Sequence, residues 1–95
     1  MKIRFSYGAF DDLTGAMDWY QDEAPGTGVQ FLNAVLDVLS QLVEFPASGA
    51  PNVGGTRRFG VTRFPYGVIY FVEGDVLVIL AVAHAKREPG YWASR

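Results

Sequence analysis

Val76 to Ala83 is an unbroken run of eight apolar residues, Val-Leu-Val-Ile-Leu-Ala-Val-Ala. It is far short of the roughly 20 residues needed to cross a bilayer as a helix. Its length and β-branched content suit a strand that is buried on both faces. A chain of 95 residues that contains such a strand must cover it from two sides, with neighbours along both edges. That demand predicts a sheet with further layers packed on it, in one domain spanning 1–95.

The covering elements are legible from the periods around that run. Lys2 to Tyr7 alternates Ile3, Phe5 and Tyr7 against Lys2, Arg4 and Ser6, the pattern of a short half-buried strand. The period then changes. Phe10, Leu13, Met17 and Tyr20, with Ala16, form the apolar stripe of a helix, and its early Asp11-Asp12 pair suits the positive end of a helix dipole. Ala24-Pro25-Gly26 breaks it. Phe31, Leu32, Val35, Leu36, Leu39, Leu42 and Val43 mark a second helix, ended by Phe45-Pro46. The short connection predicts an antiparallel helical hairpin. After a loop at 46–55, period two returns over Thr56 to Phe64 and over Val68 to Val72. A Glu73-Gly74-Asp75 hairpin then leads into the apolar run. The predicted fold is α+β with the order β-α-α-β-β-β: an antiparallel twisted sheet with the N-terminal helical hairpin packed on it.

Composition narrows the chemistry. The chain has no cysteine and one histidine, which excludes thiolate chemistry and a His-rich metal site. No cofactor or metal is expected. The N-terminus lacks the apolar region of a signal peptide, so a cytoplasmic domain without membrane association is expected. Net charge is −2, which does not favour generic nucleic-acid binding. Its distribution is uneven: residues 1–50 carry seven acids and two bases, and residues 51–95 carry six bases and three acids.

The basic half gathers Arg57, Arg58, Arg63, Tyr66, His84, Lys86, Arg87, Tyr91 and Trp92. Metal-free cleavage of RNA needs a base for the 2′-hydroxyl, a cation for the developing phosphorane and an acid for the leaving oxygen. His84 fits the first or last role, the arginines and Lys86 the second, and an aromatic ring can stack on a base. The competing reading makes His84 a strand-end residue and Tyr91-Trp92 a cover for the open end of the core. Arg57 and Arg58 fall on opposite faces of their strand.

These residues also carry a resemblance. Ile3–Ser6 (IRFS), Asp18–Tyr20 (DWY), Pro25–Phe31 (PGTGVQF), Thr56–Phe59 (TRRF), Arg63–Tyr70 (RFPYGVIY) and Val78–Trp92 (VILAVAHAKREPGYW) occur in an order and spacing similar to the RelE/ParE toxin superfamily, in particular its ParE-like, plasmid-stabilisation branch. The resemblance implies the toxin of a type II toxin–antitoxin pair, neutralised by a ParD-like antitoxin and reaching promoter DNA only through it. RelE-like members cleave mRNA on the ribosome, and ParE-like members poison DNA gyrase. The RNA-cleaving pattern is matched at Arg58, His84, Lys86 and Tyr91. It is broken at Gly60 and Gly67, where such relatives carry cations. With a pI near 5.1, this favours gyrase, leaving the ribosome-dependent nuclease and a non-toxic antitoxin-binding module as alternatives. The expected partner contacts are Trp19 and Phe31 on the hairpin, with Arg57, Arg58, Arg63, Lys86 and Arg87.

Overall fold

The computed structural model describes residues 1–95. Strand β1 (Lys2–Phe5) leads into helices α1 (Tyr7–Glu23) and α2 (Thr27–Glu44). Strands β2 (Ala50–Pro51), β3 (Arg57–Gly60), β4 (Tyr66–Glu73) and β5 (Val76–His84) follow. They form one sheet in the order β1-β5-β4-β3-β2. The apolar run is β5, and it is flanked on both edges as its composition requires.

One pairing departs from the all-antiparallel expectation. β1 runs parallel to β5, with Lys2 opposite Val76 and Phe5 opposite Ile79, so the sheet is mixed. Alternation along a strand shows which face each residue takes and not which way the strand runs, and the observed pairings put β1, β3 and β5 in one direction with β4 against them. β2, two residues long and rich in neither β-branched nor aromatic side chains, gives no period signal and pairs antiparallel with β3. β3 is also shorter than Thr56 to Phe64, because Val61 to Pro65 turns away from the ladder. The Val61 amide closes that turn onto the Tyr66 carbonyl at 2.8 Å.

α1 starts where Ser6 caps it. The Ala9 amide donates to the Ser6 hydroxyl at 3.0 Å, a bond that satisfies one of the free donors of the first turn. The same hydroxyl donates to the Leu80 carbonyl at 3.0 Å, so one side chain sets the helix start and ties it to β5. α1 buries Ala9, Leu13 and Ala16. Phe10, placed on the buried stripe by spacing, is 56% exposed at its margin. The hairpin closes tightly at Gly28: a Cβ there would stand 2.7 Å from the Met17 carbonyl oxygen.

The helices cover one face of the sheet. Phe31, Val35, Val38, Leu39 and Leu42 of α2 bury against Val68 and Tyr70 of β4 and Leu77, Ile79 and Val82 of β5. The opposite face is covered at one end by the C-terminal segment. There Trp92 packs with Ile69, Ala81 and Ala83, the core-closing role expected of it. No helix is long and apolar enough to cross a membrane.

Candidate functional site

Alternation along the strands sorts the basic and aromatic residues onto two faces. Arg58 pairs with Ile69, on the face away from the helices. Its guanidinium lies flat over Gly67, in the volume that a side chain at 67 would fill. The position expected to carry an arginine in an RNA-cleaving relative is therefore empty of side chain and occupied by a neighbour's. Gly60 pairs with Gly67, so the surface beside Arg58 is bare backbone.

His84 lies on the other face. It pairs with Tyr66 and meets its ring edge-on at 5.0 Å. Tyr66 in turn stands against Tyr20 and Phe31 beneath the helices. The strand ends at His84, and the Lys86 amide donates to its Nδ1 at 3.0 Å. The neutral imidazole thus carries its proton on Nε2. Lys86 and Arg87 are exposed on the turn that follows.

Arg57 is held by the chain itself. Its guanidinium donates to the Gly49 carbonyl at 2.8 Å and to the Ala47 carbonyl at 3.3 Å. Beside it the buried Tyr70 hydroxyl donates to the Pro46 carbonyl at 2.7 Å and accepts from the Gly49 amide at 2.9 Å. Together they anchor the loop after α2, so the Arg57 guanidinium is already engaged. Arg63 is exposed on the β3–β4 turn with a left-handed φ of 73°.

The densest polar cluster is one that spacing alone does not reveal. Beyond Ile79, β5 has no β1 residue beside it, and side chains take over that edge. Asp12 Oδ2 accepts from the Val82 amide at 3.0 Å, from the Tyr91 hydroxyl at 3.0 Å and from Arg95 at 2.7 Å. Asp12 Oδ1 accepts from Arg95 at 3.1 Å. Leu80 is the extra residue of a bulge, since Ile69 pairs with Ala81 and Tyr70 with Ile79. Its carbonyl accepts from Ser6 and Arg95. The Tyr91 ring lies beneath the guanidinium carbons of Arg87 and Arg95, at 4.1 and 4.9 Å from its centroid. Burial, then the Asp12 charge and the hydrogen bond to it, push the Tyr91 phenol up to about 12.

The four residues matched to RNA cleavage therefore do not converge. Arg58 and His84 lie on opposite faces, Lys86 is on an exposed turn, and Tyr91 holds its proton against a carboxylate. The Tyr91 shift has a testable sign. Its phenol ionises at lower pH when unfolded, near 10, so its contribution to stability is complete below pH 10 and is lost as pH rises from 10 to about 12. Burial also raises the Tyr20 and Tyr66 phenols, so an alkaline phenol titration of the folded protein should show a late-ionising component that Tyr91→Phe diminishes without abolishing. An unchanged curve would contradict the assignment.

The hairpin residues fare differently from each other. Trp19 is 57% exposed and available to a partner. Phe31 is not: it is 0% exposed, stacked on Tyr20 and set edge-on to Phe64 and Tyr66 at ring separations of 4.9 to 5.4 Å. Its assignment to a partner surface is corrected to the core, because its position on α2 faces the sheet. Tyr7, Phe10, Val29 and Leu36 are instead the exposed apolar residues of the helical layer, at 94%, 56%, 57% and 46%. Every charged residue on the two helices is acidic: Asp11, Asp12, Asp18, Asp22, Glu23, Asp37 and Glu44. All the lysines and arginines lie on strands, turns or the C-terminal segment.

Comparison with known proteins places this arrangement. The family model for the ParE toxin of the type II toxin–antitoxin system parDE matches residues 3–89. The chain belongs to the ParE toxin family. Toxin ParE2 of Mycobacterium tuberculosis is 29% identical over 89 residues, covering 93% of this chain and 85% of that toxin, with the same match in two strains. A solved structure of the chromosomal ParDE TA system from P. aeruginosa superposes with a TM-score of 0.77 at 22% identity. It covers 88% of this chain and 95% of that one, which supports the fold. This ParE-family toxin thus has helices on one face of a mixed five-stranded sheet, an acidic helical layer and a basic sheet half. The sequence reading missed Asp12, whose pattern on α1 is that of a solvated face. The available signal was the Tyr91 and Arg95 side chains, 79 and 83 residues further along the chain.

Proposed function

We propose that this chain is a growth-arresting toxin, neutralised by a ParD-like antitoxin encoded beside it, and that it acts by binding DNA gyrase rather than by cutting RNA. Membership of the ParE family over residues 3–89 carries the first part, and the solved neighbour belongs to a ParDE system. The second part is supported by the separation of Arg58 from His84 across the sheet and by the Arg58 guanidinium lying where a further cation would have to stand. Removing a preorganised charge-stabilising group typically costs about 10²–10³ in rate. A protein target needs no such convergence. It needs exposed apolar area and charge of matching sign.

The helical layer offers both to the antitoxin. Tyr7, Phe10, Trp19, Val29 and Leu36 are open, and the charged residues of the helices themselves are all acidic, with Arg95 laid against Gly8 and Asp12 at the start of α1. This suits an amphipathic antitoxin segment with basic flanks. Arg58, Lys86 and Arg87 remain available on the sheet half for an acidic stretch, with Arg63 on the turn. Arg57 takes part through the loop it anchors.

Tightly controlled expression without the antitoxin tests the reading. Growth arrest with an induced DNA-damage response and continuing translation is the expected result, reversed by co-expressing the neighbouring gene. Rapid loss of translation with transcripts cut at codon boundaries would establish the ribosome-dependent nuclease instead. No effect on growth would leave a non-toxic antitoxin-binding module.

A further inference from the structure

The main-chain hydrogen bonds of Glu88–Arg95 stay within that segment. The Tyr91 amide donates to the Glu88 carbonyl at 3.4 Å, Ala93 to Gly90 at 2.9 Å and Arg95 to Trp92 at 3.0 Å. No backbone bond ties the segment to a strand or helix. Three side chains hold it instead. The Tyr91 hydroxyl and the Arg95 guanidinium donate to Asp12, and Arg95 also donates to the Leu80 carbonyl. Trp92 packs on Ile69, Ala81 and Ala83. The Arg95 side chain lies over Gly8, in the space that a Cβ there would need.

The surface beneath keeps its own bonds without these three. Asp12 Oδ2 still accepts from the Val82 amide at 3.0 Å. The Leu80 carbonyl still accepts from the Ser6 hydroxyl at 3.0 Å. Departure of the segment therefore leaves neither of these acceptors without a partner, which removes the usual penalty for breaking a buried polar contact. What opposes departure is chiefly the burial of one indole, Trp92 at 6% exposure. What favours it is the returned freedom of eight residues. β5 is different: it is paired with β4 from Val76 to His84 and cannot leave without unfolding the sheet.

We propose that Glu88–Arg95 is a releasable strap, which leaves the sheet as a unit while the rest of the domain stays folded. Release bares Ile69, Ala81 and Ala83, which the closed form holds at 0%, 0% and 4% exposure. That apolar face adjoins Arg58, the cross-strand partner of Ile69. Release also frees Arg95 from Asp12 and Arg87 from the Tyr91 ring. The domain thus has a closed and an open form that differ in apolar area and free cations at one end of the sheet. The proposal does not depend on gyrase or on toxicity.

The chain has no cysteine, so a single introduced thiol tests this. Ala83→Cys places it beneath the strap, and Val35→Cys places it in the core between helices and sheet, at a position that is 0% exposed. Labelling by DTNB under native conditions follows the open population when reclosing is fast. The thiol of Ala83→Cys should label at least about tenfold faster than that of Val35→Cys. Its rate should also depend much less on low urea, because release exposes little surface. Arg95→Ala and Gly8→Ala, each added to Ala83→Cys, should raise the rate about fivefold. The second acts through one methyl group that crowds the guanidinium. Ala81→Cys carries the same test should Ala83→Cys not fold. Equal rates and equal urea slopes at the two places would show that strap and domain open only together, and would overturn the proposal. A rate beneath the strap that neither Arg95→Ala nor Gly8→Ala changes would overturn it as well.

Discussion

Asp12→Ala is expected to lower stability by about 3 kcal/mol. The carboxylate accepts four hydrogen bonds from Val82, Tyr91 and Arg95; a hydrogen bond to a charged group is worth about 1.5–3 kcal/mol, and the four do not add because they share one carboxylate and removing it also removes its desolvation cost. Its side chain is 13% exposed and that of Arg95 is 21%, so solvent screens the pair only in part. Alanine also strands the Val82 amide on a β5 edge that β1 does not reach. For a domain of this size the loss corresponds to a fall in Tm of roughly 12–24 °C. Arg95→Ala, which leaves Asp12 two of its donors, should cost about 1 kcal/mol. Thermal or urea unfolding of the two variants checks the order. Equal effects from both would show that the Arg95 ion pair dominates and that the Val82 and Tyr91 bonds contribute little.

Phe31→Ala is the second large effect, about 3–5 kcal/mol of lost stability. The ring is wholly buried and contacts Tyr20, Phe64 and Tyr66, so its removal leaves a cavity at the centre of an aromatic cluster. That cluster also supports the β3–β4 turn. Trp19→Ala, at an exposed site, should change stability by no more than about 1 kcal/mol. The pair therefore separates folding from recognition. A Trp19 variant that keeps its Tm and loses antitoxin affinity reports on the surface, while affinity lost by the Phe31 variant follows unfolding. If Phe31→Ala kept a wild-type Tm, the core assignment would fail.

The comparison of these two aromatics shows what periodicity can and cannot read. It placed β5, both helices and the β4–β5 hairpin, because each has a long apolar pattern with a turn residue at its end. It did not distinguish a hairpin residue that faces the sheet from one that faces a partner. Both are large, apolar and aromatic, and only the packing of α2 on β4 decides. β2 was invisible because Ala50-Pro51 has no period, and the parallel pairing of β1 with β5 was invisible because alternation carries no strand direction. The gap at Gly67 was legible in the sequence, but not its filling by Arg58, which depends on the β3–β4 register. Asp12 was illegible for a different reason: its meaning depends on donors at the far end of the chain.

The most direct measurement of the central claim is a supercoiling assay with purified DNA gyrase, relaxed plasmid and this protein, with and without the antitoxin. The expected result is loss of supercoiling with accumulation of cleaved DNA, restored by stoichiometric antitoxin. Unimpaired supercoiling, together with codon-boundary cleavage of mRNA on ribosomes by the same preparation, would rule gyrase out as the target.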